Sequence, residues 1–107
     1  MANLPATVDI GPHTLAVKEV RSLKDGSQQL DGDIVYGTMT IRIVHRNHVS
    51  KKREVLVHET LHGIFRNLDL DREWGQKKLE GYCFRIAPAL LDVLRRNPAL
   101  VAFLVGE

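Results

Sequence analysis

A chain of 107 residues with 44% hydrophobic and 26% charged side chains has ordinary globular composition and length for one core, so a single domain over residues 1–107 is expected. The formal net charge of +2 is dispersed apart from Lys51-Lys52-Arg53 and Arg95-Arg96, and neither cluster has an aromatic platform, so no nucleic-acid partner is expected. Cys83 is the single cysteine, which excludes an intramolecular disulfide and a cysteine-based zinc knuckle; no run approaches the ~18 apolar residues of a membrane span, and no secretory leader is visible, so the expected location is the cytoplasm.

Pro5, Gly11 and Pro12 punctuate residues 1–12, which read as a loose lead-in. His13 to Val20, "HTLAVKEV", alternates as a strand does, and Ser22 to Asp33 concentrates the Gly, Asp and Ser of loops. Ile34 to Tyr36 and Met39 to Val44 are two β-rich pieces around Gly37-Thr38, which predicts a hairpin.

Ser50 is a suitable N-cap for a helix beginning "KKREVLVHETLHGIFRNL". At about 100° per residue, Val57, Leu61, Ile64, Phe65 and Leu68 fall on one arc, with Lys52, Leu56, Gly63 and Asn67 opposite and His58 and His62 at the border. After a short connection, "NLDLDREWG", a second helix is predicted from about Trp74 or Gln76 to Arg96, bent at Pro88. Asn97-Pro98 then starts a last short helix.

The stretch "VLVHETLHGIF" carries His-Glu-x-x-His. His58 and His62, one helical turn apart, can aim two imidazole nitrogens at one ion, and Glu59, about 100° around, stands where a general base would take a proton from water. A catalytic zinc needs a third protein ligand. The metzincin pattern is excluded, because no further histidine follows His62.

On the wheel of the second helix Cys83, Phe84, Ala87, Leu90, Leu91 and Leu94 form an apolar face, extended by Leu79, Ile86 and Val93, and Glu80 falls within it. A carboxylate facing a core requires a compensating cation, so Glu80 is the candidate third ligand. Pairing of Glu80 with Arg42 or Arg53 is the competing reading, and Glu73 is a rival ligand. Cys83 reads as a core residue rather than a fourth ligand, and Lys51-Lys52-Arg53 as solvated charge.

HExxH on one helix with a ligand glutamate on the next resembles the gluzincin metallopeptidases, and the compact arrangement resembles a minigluzincin. The order of hairpin, Ser-led helix with "HETLH", Glu helix and "RNPAL" ending is similar to short metallopeptidase-like proteins of phages and prophages, over roughly residues 13 to 104. The resemblance implies that His58, His62 and Glu80 bind zinc, that Glu59 is the catalytic base, and that the substrate is a peptide or protein in a bacterial or phage-infected cytoplasm. Tyr82, His45 and His48 are candidates by type for stabilising the oxyanion.

The expected architecture is α+β: a small, mostly antiparallel N-terminal sheet packed on the HExxH helix and the Glu helix, as in zincins. Substrate is expected to dock on a sheet edge, either Met39 to Val44 or His13 to Val20. Two alternatives remain at this point: a zinc-stabilised phage or prophage binding module without turnover, and a metal-free interaction domain in which HExxH is coincidence.

Overall fold

The computed structural model describes residues 3–106. Its main sheet takes strands β1 (Thr7–Ile10), β2 (His13–Val20), β5 (Gly32–Val35) and β6 (Thr40–Val44) in the order β1-β2-β6-β5. β1 and β2 pair antiparallel, as do β5 and β6, while β2 and β6 run parallel, so the molecule is α+β with a mostly antiparallel sheet. β3 (Leu23–Asp25) and β4 (Gln28–Leu30) form a separate two-stranded hairpin between β2 and β5. The helices are α1 (Val49–Asn67), α2 (Leu70–Trp74), α3 (Gln76–Arg96) and α4 (Pro98–Leu104).

The predicted strand at His13 to Val20 and the hairpin ending at Val44 form as expected. In contrast, the supposed lead-in contains β1, while Met1 and Ala2 lie outside the described residues. Val8 and Ile10 alternate with Thr7 and Asp9, but four residues give little local signal; β1 is held by β2, which supplies its hydrogen-bonding partner. The stretch read as a loop from Ser22 to Asp33 likewise contains β3 and β4, turned at Gly26 with φ +64°, a conformation that glycine adopts without cost. The short connection after α1 contains α2.

α1 begins at Val49, and its cap is His48 rather than Ser50: the His48 Nδ1 accepts the Ser50 backbone N–H at 3.1 Å. Two further contacts anchor this start. Lys52 Nζ meets the Glu19 carboxylate at 2.8 Å and Lys51 Nζ the Asp31 carboxylate at 3.7 Å, so two members of the basic triplet tie the helix to the sheet and to the β4–β5 junction. At the other end the Asn67 side-chain amide donates to the Ile10 carbonyl at 3.1 Å.

α1 is apolar on two faces rather than one, and this corrects the single-arc reading. Val55, Leu56 and Gly63 lean on the sheet with Ile10, Leu15, Ile41 and Ile43, while Val57, Leu61 and Phe65 pack on Leu79, Cys83 and Ala87 of α3. Each large aliphatic side chain so buried contributes roughly 1.5–3 kcal/mol. Ile64 and Leu68, assigned to the buried arc by periodicity, are exposed, as are Phe84 and Leu90 of α3. The helix is thus the middle layer, and His58 and His62 fall in the angle between its two packed faces.

Gly63 and Gly32 permit that close packing. A Cβ on Gly63 would stand 2.7 Å from Ile10 Cδ1, and one on Gly32 would stand 2.5 Å from Val55 Cγ1 and 2.9 Å from the Arg42 carbonyl oxygen. Phe65, Trp74 and Tyr82 close the α1–α2–α3 corner by edge-on ring contacts with centroids 5.3 and 4.8 Å apart. No helix among the described residues is long and apolar enough to cross a membrane.

Candidate metal centre

Antiparallel packing of α1 and α3 sets the His58/His62 ridge opposite the first turns of α3. His58 Nε2 lies 2.9 Å from Glu80 Oε1, and His62 Nε2 lies 2.8 Å from Glu80 Oε2. The imidazole rings stand one turn apart, tilted at 52° with centroids 4.9 Å from each other. All three donor groups lie within 4.8 Å of one another, the one such cluster of His, Cys, Asp and Glu among the described residues.

Two imidazoles and one carboxylate form a donor set that divalent metals accept. Ligands at about 2.1 Å in tetrahedral geometry stand roughly 3.3 Å apart. For one ion to be held by all three, the His–Glu80 separations of 2.8 and 2.9 Å would have to widen and the longest donor separation, up to 4.8 Å, to contract.

Glu80 reaches this position by a different route from the one periodicity suggested. Its side chain is 61% exposed, on the open flank of α3 and not within the core face made by Leu79, Cys83 and Ala87. The cost of a buried carboxylate therefore does not account for Glu80; its meeting with the two histidines does. Arg42 is held by Asp33 across the β5–β6 ladder, with Nε 2.8 Å from Oδ1, and is not the partner of Glu80. Glu73 lies on α2 and is exposed, outside the cluster.

Glu59 is the buried acid of the site, 8% exposed on the sheet side of α1. Burial pushes its carboxyl up to about 8, and the negative charges of Glu80 and Asp33 add to this. Burial lowers the proton affinity of His62, against the pull of the Glu80 carboxylate, and the neighbouring His58 lowers it further; a neutral imidazole is the form that donates a lone pair to a metal. Cys83, one turn beyond Glu80, is fully buried against Leu61 and Ala87, and its thiol is pushed up to about 12, first by burial and then by the two glutamates. It is a packing residue, as its small size and apolar setting indicate.

Two open lobes flank the three donors. One, of about 280 Å³, is lined by Lys51, Glu54, His58 and Phe84; the other, of about 400 Å³, is lined by Asp33, Ile34, Tyr36 and His62. They share Gln28, Leu30, Gly32, Glu59 and Glu80, so the β3–β4 hairpin and the start of β5 wall both. The sheet edges are β1 and β5. Neither strand expected to be the substrate-facing edge is one: β2 and β6 are interior, and β5 borders the His58/His62/Glu80 cluster.

The three residues named by type as oxyanion partners are engaged elsewhere. Tyr82 stacks edge-on with Trp74, His48 caps α1, and His45 Nδ1 lies 3.7 Å from the Glu19 carboxylate. Tyr36, which no local pattern singled out, lines the cleft instead, with the Arg66 guanidinium 3.8 Å above its ring. Burial raises the proton affinity of its phenol, with Arg66 opposing, so it remains a hydrogen-bond donor well into alkaline solution. A strand end becomes a site wall only when β5 lies against α1, and no spacing within the sequence announces that. Comparison with protein-family models, curated proteins and solved structures finds no match to this chain.

Proposed function

We propose that the chain is a zinc-dependent metallopeptidase of gluzincin type. The observation that carries this reading is the convergence of both histidine Nε2 atoms on the Glu80 carboxylate, one residue away from a buried glutamate that lines the same cleft. Zinc held there would supply Lewis acidity toward water and a scissile carbonyl.

The chain's own groups do the rest. β5 offers free main-chain N–H and C=O groups beside the donors, where an extended peptide can add as a further strand. Glu59, buried beside His58 and lining the same cleft, takes a proton from the attacking water and returns it to the leaving amine. The Tyr36 hydroxyl donates to the oxygen on which negative charge develops. Asp33, neutralised by Arg42, keeps β5 registered on β6 so that the edge and the metal centre hold a fixed separation.

Metal analysis tests the core of this proposal. Protein purified without added metal is expected to carry one equivalent of zinc and to hydrolyse a peptide mixture in a reaction stopped by a chelator and restored by zinc. His62→Ala and Glu80→Ala are each expected to lose most of the metal. Undiminished zinc in Glu80→Ala overturns the third-ligand assignment, and a metal-free parent overturns the reading as a whole.

Tyr36→Phe addresses the oxyanion role separately. It is expected to lower kcat on the order of 10²-fold, with KM and zinc content nearly unchanged. A kcat equal to that of the parent removes Tyr36 from the chemistry.

A further inference from the structure

Of the two lobes beside the donors, the one of about 280 Å³ carries two side chains that the proposed chemistry leaves idle, Glu54 and Phe84. Their placement follows from helix register. α1 and α3 run antiparallel, with His58 Nε2 against Glu80 Oε1 at 2.9 Å. One turn back along α1 is Glu54 and one turn on along α3 is Phe84, so the next rung beyond the metal ligands sets a carboxylate across the lobe from an aromatic ring.

Neither side chain is engaged elsewhere. Phe84 is 68% exposed. Glu54 is partly buried and takes part in no ion pair among the described residues. Lys51 lines the same lobe, but its Nζ lies 3.7 Å from the Asp31 carboxylate, and Arg95 lines a hollow on the other side of Glu54 without pairing with it. With Glu80 at the two histidines and Asp31 beside Lys51, Glu54 is the carboxylate of the lobe that lacks a basic partner, besides the buried Glu59.

Pro88 adds an acceptor. It has no N–H to donate to the Phe84 carbonyl four residues earlier, and Glu54 borders Pro88 as well as Phe84.

We propose that this lobe is a substrate subsite for a basic residue, arginine or lysine, beside the scissile bond; the proposal rests on the peptidase reading of the metal centre. The aliphatic stem lies along the Phe84 ring, and the cationic head meets the ring face and the Glu54 carboxylate. An apolar residue would cover Phe84 but desolvate Glu54 without pairing it, and an acidic residue would be repelled.

Calorimetry on the full-length Glu59→Gln protein as purified, in which turnover is suppressed, tests the subsite through binding alone. The probes are N-acetylated, C-amidated alanine peptides with one central arginine, lysine, leucine or glutamate. The arginine and lysine peptides are expected to bind about 10-fold or more tightly than the leucine peptide, with the glutamate peptide weakest. Adding Glu54→Gln should abolish the preference. Adding Glu54→Arg should invert it in favour of glutamate, which a merely structural Glu54 would not produce. Phe84→Ala should weaken the basic peptides several-fold.

A leucine peptide bound as tightly as the arginine peptide overturns the subsite, as does a preference that survives Glu54→Gln or the absence of binding by every peptide. Cleavage by the parent separates the two readings. Hydrolysis of a peptide mixture with no enrichment of basic residues beside the cut bonds overturns the subsite and leaves the peptidase standing. Tighter binding of basic peptides without cleavage by the parent supports the basic-residue site and overturns the peptidase.

Discussion

Glu59→Gln is expected to keep zinc bound while lowering peptide hydrolysis by about 10²- to 10⁴-fold, the usual contribution of a positioned general base. The ligands His58, His62 and Glu80 are untouched, and glutamine preserves the shape of the side chain, so loss of metal is not the cause. A binding module stapled by zinc would instead keep its partner affinity in this variant. Parallel measurements of zinc content and turnover separate the two outcomes; turnover within a few-fold of the parent removes Glu59 from the mechanism.

The same substitution has a second consequence in chelator-treated protein. The Glu59 carboxyl is raised from 4.5 to about 8 by burial and its acidic neighbours. The folded state therefore binds this proton more tightly than the unfolded state does. The associated stability is fully present below pH 4.5 and is lost as pH rises through 8, on the order of 5 kcal/mol at most. Denaturant midpoints of the metal-free parent should fall over this window, and Glu59→Gln should flatten that fall. Equal slopes for the two proteins contradict the assignment.

Gly32→Ala is expected to destabilise the protein by about 1–3 kcal/mol, the range for forcing extra volume into a packed contact. The new methyl would meet the Val55 side chain at 2.5 Å, and it cannot escape toward β6 because the Arg42 carbonyl stands at 2.9 Å. α1 must then move off the sheet. Since Glu59 Cγ is 3.7 Å from the same point, the movement also displaces Glu59, and on the proposed mechanism turnover should fall more than stability alone predicts. Urea denaturation and kcat on one preparation read both effects; unchanged values in both would show that the sheet and helix are not closely apposed there.

The legible parts of the molecule are those whose cause is local. β2 and the β5–β6 hairpin alternate, α3 ends where Asn97-Pro98 says it should, and HExxH places two imidazoles on one ridge by helical spacing alone. What escaped was non-local. β1 alternates over only four residues, and β3 and β4 have three each, too few for alternation to register. Leu56 and Gly63 looked solvent-facing because periodicity finds one apolar stripe, whereas α1 is covered on two sides. Glu80 was selected for facing a core that it flanks, so the residue was legible while its environment was not. Tyr36 became visible only when β5 came against α1.

An open β5 has a cost of its own. A row of unpaired peptide groups at a sheet edge accepts a strand from any partly unfolded chain nearby, which is how edge-to-edge aggregation begins. β5 limits that hazard by being four residues long and by opening on Gly32, which adds no apolar side chain.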